Sequence, residues 1–384
     1  MGQGRIRVGL VGANPDKGWG SGVHIPALQR LPGFELVAVC TTRMESARRS
    51  AELFGARLAF DDPAALASHP EVDLVVVCVK APEHHRLAMM ALESGKHLYC
   101  EWPLAANVAQ AEAMAALAER QGVKAMVGLQ SRGAPALRYV RDLIGQGYIG
   151  RVVSMRLTCA LPGGGARRSQ EGLYVIHRAN GATTLDIQGG HAIDALQFCA
   201  GGLGDLCAVI ANQFPQIEVI ETGERLSKDA PDQILVAGRT VEGAVTSIAI
   251  NGGVVAGHGV AIDIFGERGS LAVRGEGSLN FQMAELKLFG AQTPEKTLAP
   301  LAIPAGYDPK LIPDGQMGRA PYPGVEVPRA TLVNVANLHR DLEAAIREDR
   351  RPSPNFDDGL ALHRLLARIE AADPHSRPTP APEA

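Results

Sequence analysis

Short, continuous apolar runs alternate with stretches of helical period through the first third of the chain. IRVGLVG (6–12), FELVAVC (34–40) and DLVVVCV (73–79) carry almost no polar position. Such runs read as strands covered on both faces. KHLYC (96–100) and VKAMVGL (123–129) read as shorter strands. Between them, SARRSAELFG, HRLAMMALESG and VAQAEAMAALAERQG repeat their apolar positions every three to four residues. The first and third stop at Gly55 and Gly122, where glycine takes the left-handed turn that ends a helix. This alternation predicts an α/β domain over residues 1–130, a doubly wound (Rossmann) parallel sheet.

Beyond ALRYVRDLIGQGYIG the rhythm changes. RVVSMRLTCAL, DQILVAGRTV, AVTSIAING, VAIDIFGE and GSLAVRG are strand patterns joined by glycine-bearing turns. They predict an α+β domain over 131–372 with a large, mostly antiparallel sheet. One helix, HAIDALQFCAG, interrupts it early. Leu288 to Arg329, rich in Pro, Gly and Ala, reads as an irregular excursion. Two amphipathic helices follow, TLVNVANLHRDLEAAIRED and DDGLALHRLLARIEAA. The Pro-rich tail, 373–384, reads as disordered. No internal repeat is visible.

Composition narrows the function. Of 384 residues, 46% are hydrophobic and 21% charged, with a formal net charge of −3. That suits a globular chain of two domains and gives no basic surplus for direct nucleic-acid or membrane-surface binding. No apolar run approaches the roughly 18 residues of a membrane span. MGQGRIRVGLVG enters a strand pattern without a signal-peptide layout, and Arg5 and Ile6 follow where a myristoylation signal wants a hydroxyl. The six cysteines are scattered, with no paired spacing. They read as reduced, buried thiols of a cytoplasmic protein, and no metal site is expected.

The chemistry begins after the first strand, in GLVGANPDKGWGSGVHIPALQRL. A glycine turn there lets the backbone approach a pyrophosphate, which the next helix meets with free amides. Gly9 and Gly12 fit the early glycines. The loop is lengthened by Asn14 to Trp19, so Gly18, Gly20 and Gly22 compete for the third place. The second strand ends VCTTRMES: Thr41, Thr42 and Arg43 stand where an acid would read a ribose hydroxyl. Nothing there repels a 2′-phosphate, and a solvated arginine is the bland alternative, so the cofactor reads as NAD(P). Val79 and Lys80 lie at another strand tip, the edge where ligands bind in such sheets.

The glycine loop with HIPAL, CEWPLA, GLQSRGAP, RDLIGQGYIG, GHAIDALQ and the sheet-rich second half resemble the glucose–fructose oxidoreductase and inositol dehydrogenase superfamily. The likeness is greatest to its fungal galactose-repressor branch. The resemblance implies hydride transfer between NAD(P) and a sugar, polyol or sugar derivative. The superfamily's Glu-Lys-Pro supplies a catalytic lysine; here Trp102 takes that place between Glu101 and Pro103. A second motif sets an aspartate four residues before a histidine. His191 and Asp194 are kept, the aspartate place holds Ile187, and Asp186 is one residue off, about 100° away on an α-helix. His191 is then left to act alone as acid and base, its ordinary pKa of about 6.5 lying near working pH; a buried structural histidine is the alternative.

Lys80 is a candidate substitute for the missing lysine, and a surface lysine is the plainer reading. Tyr174 and His177 are further acid–base candidates. His84, Gln130 and Arg132 fall at superfamily positions near the cofactor, Arg132 toward substrate. Arg167 and Arg168, on GGGARRS, could fork onto a substrate anion. Trp102 could offer a flat face to a sugar ring. Three functions remain open: a dehydrogenase, a redox-assisted glycosidase without net oxidation, and a non-catalytic cofactor-binding sensor. The resemblance also implies a homodimer or homotetramer built through the second-domain sheet.

Overall fold

The computed structural model describes residues 4–257, 259–319 and 326–374. They divide into two units, the first of Met1–Ala134 with Asp308–Ala361, the second of Pro135–Tyr307 with Leu362–Ala384.

In the first unit, β1 (Ile6–Val11), β2 (Phe34–Cys40), β3 (Leu58–Phe60), β4 (Leu74–Val77), β5 (His97–Glu101) and β6 (Ala125–Gly128) form one parallel sheet, ordered β3-β2-β1-β4-β5-β6. The order reverses between β1 and β4, and the crevice at such a reversal is where this fold binds ligands. Between the strands run α1 (Ile25–Leu28), α2 (Met44–Phe54), α3 (Pro63–Ser68), α4 (His84–Glu93) and α5 (Val108–Gln121). Val8, Leu10, Val37 to Val39 and Leu74 to Val77 are sealed between them, which is why those strands carry no alternation. Gly55 and Gly122 end α2 and α5 in the left-handed conformation. The pattern misses β3 and α3, both too short to show a period.

The second unit holds α6 (Pro135–Gly145), β7 (Val152–Ala160), β8 (Arg167–Arg168), α7 (Gly190–Ala200), β9 (Leu203–Ala211), β10 (Gln216–Val219), β11 (Arg225–Ser227), β12 (Gln233–Thr240), β13 (Val245–Asn251), β14 (Gly259–Gly266), β15 (Gly269–Gly275), β16 (Leu286–Gln292) and β17 (Ala299–Pro300). The large sheet is ordered β17-β16-β15-β14-β7-β13-β12-β9, antiparallel except for the pair β7 and β13. Along β12, Ile234 and Val236 are buried, whereas Leu235, Ala237 and Arg239 are exposed. One face therefore packs and the other stays open, with Val209, Leu235, Val245 and Phe265 on it. β8, β10 and β11 form a small separate sheet.

Several expectations need correction. The excursion from Leu288 begins inside β16, whose Leu288 and Ala291 are buried. β9 is an edge strand in which small and half-exposed residues mask the alternation. Cys207, on β9, is exposed, unlike the other five cysteines.

The chain then returns to the first unit through β18 (Gly318–Arg319), β19 (Glu326–Val327) and α8 (Arg329–Arg347), and continues into α9 (Phe356–Ala371). The tail expected over 373–384 lies outside the described residues from 375 onward. Among the described residues no helix is long and apolar enough to cross a membrane.

Candidate functional site

The glycine turn caps β1 where β1 and β4 separate. Gly12 has φ +100°, and a Cβ there would overlap the Cys78 carbonyl oxygen. Its amide donates to the Cys40 carbonyl at 3.0 Å, tying the tips of β1 and β2 together. Gly18 also has positive φ, though a Cβ there would make only an ordinary contact, 3.9 Å from the Gly12 carbonyl oxygen, while a Cβ on Gly20 would come within 2.8 Å of the same atom. So Gly18 shapes the loop, and Gly20 lets the following helix pack closely. Gly9 serves packing, facing Leu66 of α3. Asn14 Oδ1 accepts from the amides of Asp16 and Lys17, and Ser21 Oγ donates to the Lys17 carbonyl, so the lengthened loop is bonded to itself. The half-buried Trp19 sits on it, its Nε1 without a partner among the described residues. This cradle, with two glycines that no side chain could replace unstrained, fits a dinucleotide pyrophosphate.

At the tip of β2, Thr42 and Arg43 are exposed, and Thr41 Oγ1 donates to the Arg43 carbonyl at 2.9 Å. Lys80 is exposed just past β4, beside half-buried Val79. His84 lies between the Pro103 carbonyl (2.7 Å) and the Val79 carbonyl (3.0 Å). It therefore clamps the two strand-tip loops together. Two acceptors favour a cationic ring and burial a neutral one; burial prevails and its pKa is lowered.

Behind buried Trp102 lies a chain of polar groups that the sequence does not announce. Glu101 Oε1 accepts from His24 Nε2 at 2.8 Å, and Gln130 Nε2 spans both carboxylate oxygens at 2.8 and 2.7 Å. His24 Nδ1 stands 3.0 Å from His339 Nε2. With His24 donating to the carboxylate, its Nδ1 accepts from His339. That leaves His339 Nδ1 buried and unpartnered among the described residues. Burial, then the neighbouring His24, push the His339 pKa well below the usual range. Tyr99 lies 4.8 Å from the His339 ring, tilted by 30°. Gln130 thus holds Glu101, and Arg132 is ion-paired with Asp358 at 3.3 Å.

In the second unit the polar cluster gathers at the head of α7. Leu185–Gly189 is a π-turn, with the Gly189 amide donating to the Thr184 carbonyl five residues back. Such a turn takes one residue more than an α-turn. Five residues through it do what four do in an α-helix, so the phase argument against Asp186 is overturned. The Asp186 carboxylate is nonetheless engaged, accepting from the Thr183 amide (2.8 Å) and hydroxyl (2.7 Å), and burial raises its pKa. His191 follows, 4% exposed, its Nδ1 sealed without a partner among the described residues. Burial pushes its pKa down to about 3. The ring is therefore neutral at working pH, and the expectation of a near-neutral pKa is corrected. Asp194 is buried one turn further along α7.

Arg167 and Arg168 do not share a glycine loop; they form β8, where successive side chains point to opposite faces. Arg167 is exposed and donates to Glu218 at 3.2 Å, while half-buried Arg168 turns toward Gly163. The two cannot fork onto one anion. Tyr174 is half-buried, and His177 is exposed beside Asp229 at 3.6 Å. Below this region a buried Lys228–Asp232 pair (2.7 Å) also takes the amides of Gln213 and Phe214, and the Gly253 amide donates to the Gly163 carbonyl. Gly163 is thereby held in place.

Residues 6–129 match the oxidoreductase family with the NAD-binding Rossmann fold, and residues 135–275 match the C-terminal domain of Gal80p. The galactose/lactose metabolism regulatory protein GAL80 of Saccharomyces cerevisiae is 29% identical over 95% of this chain and 92% of its own. The crystal structure of a super-repressor mutant of Gal80p from that yeast has a TM-score of 0.82, with 25% identity over 97% of both chains. The dehydrogenase aclE of Aspergillus oryzae is 34% identical over 61% of this chain and 67% of its own. A D-glucoside 3-dehydrogenase of Escherichia coli is 31% identical over 51% and 54%.

Proposed function

The chain belongs to the NAD-binding oxidoreductase family, the glucose–fructose oxidoreductase and inositol dehydrogenase superfamily near its Gal80 branch, and from that premise we propose an enzyme that moves hydride to or from a sugar, polyol or sugar derivative. The observation that carries the reading is His191, a neutral imidazole sealed at the head of α7. A hydroxyl gives up hydride from its carbon only if its proton is also taken. When bound, the nicotinamide supplies the hydride acceptor.

The chain's own residues do the rest. Gly12 and Gly18 hold the pyrophosphate. Thr41, Thr42 and Arg43 leave either nicotinamide cofactor admissible. Trp102 keeps water from its strand tip and offers an apolar face. His191 accepts the hydrogen bond of the substrate hydroxyl and then its proton. With so low a pKa the imidazolium forms at a cost, so the proton moves as the carbonyl forms. The rate should show no histidine inflection between pH 5 and 8. The protein acts in the cytoplasm as a homodimer or homotetramer, its open apolar sheet face covered by a second copy.

One alternative has its own support. The regulatory relative spans 95% of the chain, and Trp102 replaces the superfamily lysine, which together favour a cofactor-binding sensor. Purified protein incubated with NAD⁺ or NADP⁺ and a panel of sugars and aryl glycosides separates the readings. Net cofactor reduction supports the dehydrogenase. Aglycone release without it points to a redox-assisted glycosidase. Neither, with tight cofactor binding, leaves the sensor.

A further inference from the structure

Gln188, on the π-turn that leads into α7, has an amide with nothing to bind. Among the described residues its side chain makes no hydrogen bond, and its Oε1 is buried without a partner. Its backbone is anchored, since its carbonyl accepts from Asn280 Nδ2 at 3.0 Å, and Asn280 Oδ1 takes the amide of fully buried Phe281. Its side chain is housed: a Cβ on Gly163 would fall on Gln188 Nε2. A glycine at 163 thus makes room for this amide, and an Arg168 guanidinium nitrogen lies 3.9 Å from the same point. Three residues on, at the head of α7, His191 is also buried with an unpartnered nitrogen. Buried polar atoms without partners are rare and costly, and two so close along the chain call for a ligand that completes both.

We propose that Gln188 is a specificity-determining residue, reading a second hydroxyl of the substrate whose first hydroxyl meets His191. The inference rests on His191 facing substrate, as in the proposed function. Gln188 Oε1 takes an O–H, and its amide or Arg168 returns an N–H to a neighbouring oxygen. The neutral His191 ring adds one acceptor nitrogen and one donor. Acceptors of this kind, with donors beside them, suit a polyhydroxylated ligand, whose hydroxyls both donate and accept. A site built to bond a hydroxyl discriminates against the analogue that lacks it, because its own groups are then left unpaired.

The test titrates cofactor-loaded full-length chain with D-glucose, D-galactose and their monodeoxy analogues by calorimetry, and follows turnover separately by cofactor absorbance. Wild type should bind one parent sugar at least about tenfold tighter than one monodeoxy form. Gln188→Leu should abolish that difference by weakening the parent alone. Gly163→Ala should do the same; its backbone lies outside the left-handed region, so it acts by displacing the amide. Gln188→Glu, which keeps an acceptor at the same reach, should retain the discrimination. Gln188→Leu and Gly163→Ala proteins that fold, bind cofactor and still discriminate as wild type would overturn the proposal, as would wild type binding none of these sugars. Discriminating binding without hydride transfer leaves this inference standing and removes the enzymatic reading; turnover indifferent to Gln188 does the reverse.

Discussion

Replacing Glu101 with alanine would strand two donors in a sealed site. His24 Nε2 reaches the carboxylate at 2.8 Å and Gln130 Nε2 at 2.7 Å, and both residues are essentially inaccessible. Hydrogen bonds to a charged group contribute about 1.5–3 kcal/mol each. A buried donor left without its acceptor costs about 1–3 kcal/mol, and here there are two. The two routes agree on a loss of about 3–5 kcal/mol, a large share of the roughly 5–15 kcal/mol that keeps a domain folded. Glu101→Gln keeps one acceptor and should lose about 1–2 kcal/mol. The chain's two tryptophans, Trp19 and Trp102, both lie in the first unit. Tryptophan fluorescence during urea unfolding therefore follows that unit alone, avoiding the ambiguity of a chain with two units. With a slope of roughly 2–3 kcal/mol per molar, the Glu101→Ala midpoint should fall by about 1–2 M. A midpoint within about 0.2 M of wild type would show that the network contributes nothing and that Glu101 is not held as argued.

Other outcomes follow from single groups. The folded pKa of His191, about 3, lies below its unfolded value of about 6.5, so acid favours the unfolded chain, and stability is full above pH 6.5. The second unit should lose stability between pH 6.5 and 3 at roughly 1.4 kcal/mol per pH unit from this residue. Hydrogen exchange in α7 would read the slope, and an equal slope in His191→Gln refutes the assignment. Gly12→Ala forces a side chain onto the Cys78 carbonyl at φ +100° and should weaken NADH binding at least about tenfold, measured by tryptophan quenching; unchanged affinity would mean that the turn is not the cradle. Cys207 is the exposed cysteine, on the open sheet face. If a second copy covers that face, a thiol reagent should attack it over tenfold faster in diluted monomer than in the oligomer, and a fast thiol in the oligomer rules that interface out.

How much of this was legible in the sequence varied with the range of the interaction. β1, β2 and β4 show as apolar runs because both faces are covered, and β12 shows as an alternation because one is not. Gly12, Trp102 and His191 stand out because each occupies a local motif. The π-turn at Leu185–Gly189 leaves no mark in residue types, so α-helical spacing misplaces Asp186 relative to His191. Arg167 and Arg168 looked like a pair because adjacency in sequence hides the alternation of a strand. His24 and His339 lie 315 residues apart, and His339 reads as one more position in an amphipathic helix.

The sequence by itself determined the two kinds of sheet, the glycine turn and the loss of the lysine, since periodicity, chain reversal and residue chemistry act over a few neighbours. Tertiary structure alone decided that His191 is neutral, that Glu101 is held by both His24 and Gln130 and that Gln188 lies against Gly163. Those properties depend on how much water is excluded and which distant groups remain to replace it, and packing sets both.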